Sequence, residues 1–153
     1  LHPFLMIKKI VLFALVLIGL QACKSDAKKE APSLMKEVMD VHDAVMPKMG
    51  TIGKLVKLLN QQKDSLLEAA PTAEIDLKIV ALSTGVDSLQ KAHKKMMTWM
   101  KDFGGNFTAD EILKGKALNA EKKSILEQEA IKVKEMEAAI IGSIQYAEQL
   151  SNQ

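Results

Sequence analysis

The feature that most constrains this chain is a run of mostly apolar residues spaced alternately three and four positions apart, interrupted once at Pro71. Before Pro71 the run consists of Met35, Val38, His42, Val45, Met49, Ile52, Val56, Leu59 and Leu66, with Lys63 in the gap. After it the run consists of Ile75, Ile79, Leu82, Val86, Leu89, His93, Met96, Met100 and Phe103. Such spacing keeps one face of an α-helix apolar, so the sequence predicts two long helices packed face to face.

Capping and turn residues predict where these two helices begin and end. Ser33 is the expected N-cap of the first helix. Pro71 lacks a backbone N–H and separates the first helix from the second. The paired glycines of FGGNF, residues 103–107, predict the end of the second helix.

The remaining sequence predicts one short and one long helix. Thr108 and Glu111 have the spacing of a capping box, for a helix over 109–117. Asn119 suits the N-cap of a helix that runs to about Ser151. Its apolar stripe consists of Leu126, Ala130, Val133, Ile140, Ile144 and Ala147. Aromatic residues are sparse and no strand-like alternation occurs, so we expect an all-α antiparallel bundle of three long helices with one short extra helix.

The N-terminal residues are typical of a signal peptide. Lys8 and Lys9 precede an apolar run over 10–20, which is well short of the roughly 20 residues that span a bilayer. The letters LQAC that end at Cys23 resemble a bacterial lipobox, in which cleavage precedes a cysteine that is then lipidated. We therefore expect Cys23 to be the lipidation site and to anchor the protein to a membrane. The alternative is a secreted protein with a stray thiol.

These signals divide the chain into three segments. Residues 1–22 comprise the signal peptide and the upstream residues before Met6, which we interpret as the initiator. Residues 23–32 contain the lipidated cysteine and a charged, polar stretch that is typical of a flexible tether. Residues 33–153 form the bundle domain. Lys24 rather than an aspartate follows the cysteine, which favours the outer membrane, facing the periplasm, over inner-membrane retention.

The composition excludes several classes of function. Without residues 1–22 the chain has 19 lysines against 19 acidic residues and no arginine, so nucleic acid is not an expected partner. Cys23 is the single cysteine, which rules out an intramolecular disulfide and cysteine-based zinc or iron–sulfur sites. The sequence has no Ser/His/acid spacing, phosphate loop or H-E-x-x-H pattern, so we do not expect an enzyme.

Methionine and histidine are concentrated at the tether end of the predicted bundle. Seven of the eight methionines after residue 22 fall within 35–49 and 96–100, and the two remaining histidines lie in or next to these segments. If the first two helices fold back on each other, His42 lies level with position 98 and His93 with position 47. The opposite half of each run uses Leu, Ile and Val instead.

Thioether and imidazole groups together form the ligand set that Cu(I) prefers. The candidate metal ligands are His42, Met46, Met49, His93, Met97 and Met100. Trp99 could cover the ion by a cation–π contact, and Pro47 should kink the first helix and so splay Met46 and Met49. The set resembles the His/Met/Trp chemistry of periplasmic copper chaperones, which are small β-barrels, so the likeness is one of ligands alone.

Two other interpretations of the cluster remain open. Methionine is an adaptable core filler, so the cluster can be plain packing. One His and one Met can also hold a b-type haem, but the chain has no C-x-x-C-H motif and no arginine for the propionates, and the predicted bundle has one long helix too few.

Two stretches, HDAVMPKMG over 42–50 and MMTWMKDF over 96–103, together with the Lys/Glu-rich last helix, resemble a group of small bacterial helical lipoproteins labelled "viral A-type inclusion protein". The resemblance implies a lipid-anchored helical domain and assigns no activity. The sequence therefore predicts a lipid-anchored extracytoplasmic binding protein, with Cu(I) as the candidate ligand. The alternative is a structural envelope lipoprotein that binds a protein partner and no metal.

Overall fold

The computed structural model describes residues 31–152, which form five α-helices and contain no strand. The helices are α1 (Ala31–Val45), α2 (Lys48–Leu67), α3 (Ala73–Asn106), α4 (Ala109–Leu113) and α5 (Ala120–Ser151). Helices α1 and α2 follow each other as one kinked length, α3 packs against α2, and α5 packs against α1, α2 and α3. The predicted all-α bundle of three long helices and one short helix is confirmed, whereas the predicted signal peptide, Cys23 and most of the tether lie outside the described residues.

The kink between α1 and α2 lies at Met46 and Pro47, as the sequence predicts. The N–H of Met46 still donates to the His42 carbonyl at 2.8 Å, but the next bond, from Met49 N–H to the Met46 carbonyl at 3.2 Å, closes a tighter turn. Proline cannot donate such a bond, and its ring crowds the carbonyl four residues earlier. The break therefore follows directly from Pro47.

The predicted N-cap of the first helix is wrong. Ser33 is the third residue of α1, because Ala31 and Pro32 are already helical. Proline is well suited to the first turn of a helix, where its missing N–H would have no intrahelical acceptor. The boundary placed at 32 between tether and bundle therefore falls inside α1.

The apolar faces of the long helices meet in one core. Buried apolar side chains of α1 and α2 are Met35, Val38, Val45, Ile52, Leu55 and Leu59. Those of α3 are Leu82, Val86, Leu89, Ala92, Met96, Trp99 and Phe103. The seam prediction fails at His93, which is exposed, because Ala92 and Trp99 face the core instead. A helix face that includes His93 and one that includes Ala92 and Trp99 both keep the three- and four-residue spacing. Burial of the large indole favours the face with Trp99.

The buried face of α5 differs from its predicted stripe at four positions. It consists of Leu126, Glu129, Val133, Met136, Ile140, Ser143, Ile144, Ala147 and Leu150. The half-buried Ala130 was predicted in place of Glu129, and Met136, Ser143 and Leu150 were not predicted. The start of the helix agrees with prediction, since Asn119 Oδ1 accepts the Lys122 N–H at 2.8 Å.

One of the other predicted helix ends is confirmed and one is wrong. Helix α3 ends at Asn106, within FGGNF as predicted, with Phe107 as its C-cap, and the buried Phe103 and Phe107 rings lie 4.9 Å apart on this last turn. Helix α4 has its predicted capping box but stops at Leu113 rather than 117. Gly115 has a φ of 66°, a left-handed conformation that favours glycine and ends the helix.

Candidate functional site

The structure places His42 against Trp99. The ring centroids lie 5.6 Å apart with an interplanar angle of 28°, so the register predicted for His42 is confirmed to within one residue. The His42 side chain is 14% exposed, and its Nδ1 lies 2.9 Å from Asp43 Oδ1. One ring nitrogen is thus engaged locally and the other is left for a further contact.

The other predicted metal ligands have very different exposures. His93, Met46 and Met97 are exposed, whereas Met49 and Met100 are half-buried. No group of three or more His, Cys, Asp or Glu side chains within residues 31–152 could hold a metal ion, so an ion here would depend on thioether sulfurs. The soft-metal site therefore stays a prediction, centred on His42 rather than on both histidines.

Trp99 is a core residue rather than a surface cover. It stacks on His42 and also on Phe103, whose ring centroid lies 4.7 Å away at 22°. The series His42, Trp99, Phe103 and Phe107 forms an aromatic row. Two stacks occupy much of the indole, and the cation–π role predicted for it would have to compete with them.

A groove of about 410 Å³ lies beside this row, between α3 and α5. We call it the α3/α5 groove. Its floor includes the buried side chains of Trp99 and Met136. Its charged lining consists of Lys91, Lys94, Lys95 and Lys132 and of Asp102, Glu129 and Glu135. An apolar floor with a few convergent polar groups is the usual architecture of a small-molecule site.

Glu129 is the least expected residue of this groove. It occupies a core position of α5 and is 1% exposed. Its Oε1 accepts a hydrogen bond from Lys132 Nζ at 2.8 Å, while Oε2 is buried without a hydrogen-bond partner. The hydrogen bond and the carboxylate charge raise the pKa of Lys132. Burial of a carboxylate is costly unless its oxygens are hydrogen-bonded, so this half-satisfied group is unusual.

A second polar group of the groove also lacks a partner. The indole Nε1 of Trp99 is buried with no hydrogen-bond acceptor, although buried indoles normally have one. Only three buried side-chain nitrogen or oxygen atoms of the described chain are in this condition. The third, Gln62 Oε1, is outside the groove, in a side chain whose amide nitrogen donates to Ser151. Unsatisfied polar atoms are therefore concentrated in the α3/α5 groove.

The other buried carboxylate, Glu111, differs because both of its oxygens accept hydrogen bonds. It is 8% exposed. Its Oε2 accepts the Thr108 N–H at 2.8 Å and the Thr108 hydroxyl at 3.0 Å. Both of its oxygens contact Lys122 Nζ, at 2.9 and 2.6 Å. The bond from Lys122, followed by that from the Thr108 backbone, lowers the pKa of Glu111 to about 2.

Sequence reasoning missed Glu129, although a signal was present. Leu126, Glu129, Val133, Met136 and Ile140 follow the same alternation of three and four as the first two helices. A carboxylate at such a position predicts either a buried ion pair or a functional site. The prediction chose Ala130 because its side chain is compatible with an apolar stripe.

Comparison with protein-family models, curated proteins and solved structures found no match to this chain. None of the helices within 31–152 combines the length and the apolar character that a membrane span requires.

Proposed function

We propose that the protein is a lipid-anchored binding protein of the bacterial cell envelope, and that the α3/α5 groove is its ligand site. The observation that carries the proposal is the pair of buried, unpartnered atoms, Glu129 Oε2 and Trp99 Nε1, in residues that line one groove. A buried polar group without a partner costs about 1–3 kcal/mol, which a complementary ligand recovers on binding. The lysine rim and apolar floor would then orient and bury the rest of that ligand.

Lipid anchoring would hold this site close to a membrane. The LQAC sequence ending at Cys23 follows an apolar run, and seven residues separate Cys23 from the start of α1 at Ala31. Even fully extended, that connection spans only roughly 25–30 Å. We expect Cys23→Ala to abolish incorporation of a radiolabelled fatty acid and to release the protein from membranes. Absence of label in the wild-type protein would rule out lipidation.

A groove-filling substitution tests the ligand site. Trp99 is the single tryptophan, so its fluorescence reports directly on the floor of the groove. The full chain in lipid nanodiscs can be screened with small organic acids for fluorescence change. Thr98→Phe fills the groove from an exposed position, whereas Thr84→Phe, also exposed on α3, lies outside it. Binding should be lost in the first variant and kept in the second; equal loss, or no binding by any compound, contradicts the proposal.

Soft-metal binding remains a second candidate, favoured by the position of His42. Its imidazole is mostly buried beside Trp99 and has one ring nitrogen not engaged by Asp43. Thioethers of Met49 and Met100 are half-buried and belong to the same predicted ligand set. Cu(I) titration against a competing chelator should show sub-micromolar binding that His42→Leu removes, with His93→Leu as the matched exposed control. Affinity no tighter than micromolar would end this candidate and leave the metal-free envelope scaffold as the alternative.

A further inference from the structure

We propose that the ligand of the α3/α5 groove is a freely diffusing N-acyl amino acid: a small molecule with an apolar chain, a secondary amide and a carboxylate. This inference rests on the proposed function, since it names the ligand class of the same site. It is derived from three properties of the groove: the two unpartnered polar atoms, the excess of lysines, and the apolar floor.

The unpartnered atoms require opposite hydrogen-bonding roles. Glu129 Oε2 is an acceptor and needs a donor, whereas Trp99 Nε1 is a donor and needs an acceptor. A secondary amide supplies both, through its N–H and its carbonyl oxygen. A cationic donor is disfavoured, because Glu129 is already paired with Lys132 and the groove holds three further lysines.

The charge of the rim favours an anionic ligand. Four lysines line the groove against three carboxylates, and one of these carboxylates is the buried Glu129. Lys95 pairs with Glu135 at 3.7 Å. Lys91 and Lys94 form no ion pair with a described residue, so both ammonium groups can contact a ligand carboxylate.

The apolar floor of the groove and the Lys132 side chain limit the size and shape of the ligand. Trp99 and Met136 present apolar surface, and a volume of about 410 Å³ suits a molecule with a short acyl chain. The Lys132 side chain is 54% exposed and its Nζ holds the Glu129 carboxylate. We expect this flexible side chain to move when the amide enters, because Glu129 Oε2 is buried without the ligand.

The test uses N-hexanoylglycine and N-hexanoylsarcosine, which differ by one methyl group that removes the amide N–H. Titrations follow Trp99 fluorescence of the full chain in nanodiscs, with empty nanodiscs as reference. We expect the sarcosine compound to bind about tenfold more weakly to the wild-type protein, as loss of one buried hydrogen bond predicts. In Glu129→Leu the two compounds should bind equally, because the acceptor is gone. Hexanoylglycine methyl ester should bind more weakly than the acid to both proteins.

The other outcomes separate failure of this inference from failure of the proposed function. Equal binding of the two compounds to wild type overturns the amide assignment but leaves a groove ligand in place. If neither compound binds, while another acid binds and is lost in Thr98→Phe, the ligand class is wrong and the proposed site stands. If no compound binds, both fail. Should Glu129→Leu not give a wild-type helical circular dichroism spectrum, Glu129→Met replaces it in the same comparison.

Discussion

Glu111 and Glu129 are two buried carboxylates in one small bundle, and their surroundings differ in hydrogen bonding. Glu111 lies in the first turn of α4, where Lys122 contacts both of its oxygens and Thr108 donates to Oε2. Glu129 lies in the middle of α5, where Lys132 contacts one oxygen and the other has no partner. The first carboxylate is fully hydrogen-bonded within the fold, whereas the second is not, and we propose that the second belongs to a binding site.

The difference follows from where each residue sits on its helix. The first turn of a helix has backbone N–H groups without intrahelical acceptors, so a carboxylate there finds donors locally. In mid-helix every backbone N–H is bonded to the carbonyl four residues earlier. A buried mid-helix carboxylate such as Glu129 thus depends on side chains or on a ligand.

The largest expected effect comes from placing a carboxylate in the core without a lysine beside it. Leu82 is 1% exposed on α3, so Leu82→Asp would bury an unpaired charge and should cost more than about 4 kcal/mol of unfolding free energy. Leu77→Asp, on the exposed face of the same helix, is the control and should change stability by less than about 0.5 kcal/mol. Chemical denaturation measures both. If Leu82→Asp is folded and stable, the core tolerates carboxylates generally. The difference between Glu111 and Glu129 would then not point to a binding site.

The next largest effect is expected from Glu111→Gln. The glutamine oxygen can still accept from Thr108, but the ion pair with Lys122 is lost. The protein should therefore be clearly destabilised at pH 7. Glu148→Gln, at an exposed position near the end of α5, is the matched control for the change of charge and should have little effect.

The same pair of proteins gives a pH prediction with a definite sign. The pKa of Glu111 is lowered from its ordinary value of 4.5 to about 2 in the folded protein. Its contribution to stability is therefore complete above pH 4.5 and is lost as the pH falls toward 2. The Tm difference between wild type and Glu111→Gln should shrink over this interval. A constant difference from pH 7 to pH 2 would contradict the assigned role.

Glu129→Leu should have the opposite effect on stability. Replacing a buried, half-satisfied ion pair by a core-compatible apolar residue should leave the unfolding free energy unchanged or raise it by about 1 kcal/mol. Lys132→Ala instead leaves the buried carboxylate without its one partner and should be destabilising. Thermal melts of both variants decide. A loss of more than about 2 kcal/mol in Glu129→Leu would make this residue structural, like Glu111.

The smallest effects on stability are expected from alanine substitutions at two glycines close to Glu111 in the sequence. Gly104 lies inside α3, and a Cβ there would meet no atom within 4 Å beyond its chain neighbours and the backbone of its own helix. Gly104→Ala should stabilise the protein by about 0.5–1 kcal/mol. Gly115→Ala should be destabilising, because its φ of 66° disfavours a side chain. Neither change should alter the pH dependence of stability assigned to Glu111. If either change does, the Glu111 carboxylate is coupled to the geometry of the whole segment between α3 and α5.

Local patterns predicted most of the architecture correctly. The kink at Pro47, the cap by Asn119 and the capping box of Thr108 and Glu111 all depend on residues within four positions of each other. The position of His42 beside Trp99 was predicted to within one residue from the number of residues on each side of the turn at Pro71. Chemistry confined to one helical turn is encoded locally, and so it can be inferred before the fold is known.

The errors lie where neighbouring positions were nearly equivalent in sequence terms. His93 and Ala92 both fit the three–four spacing, as do Ala130 and Glu129, and a one-residue choice turns the buried face of a helix by about 100°. Such choices are settled by contacts between distant segments rather than by local preference.

The sequence by itself thus determined the helices, most of their caps and the kink, because backbone hydrogen bonds and apolar periodicity act over a few residues. Only the tertiary structure decided that Glu129 and Trp99 line one groove and that one polar atom of each is buried without a partner. The physical reason is that burial and hydrogen-bond satisfaction are properties of a surrounding assembled from more than one helix. No single segment of the chain contains that surrounding.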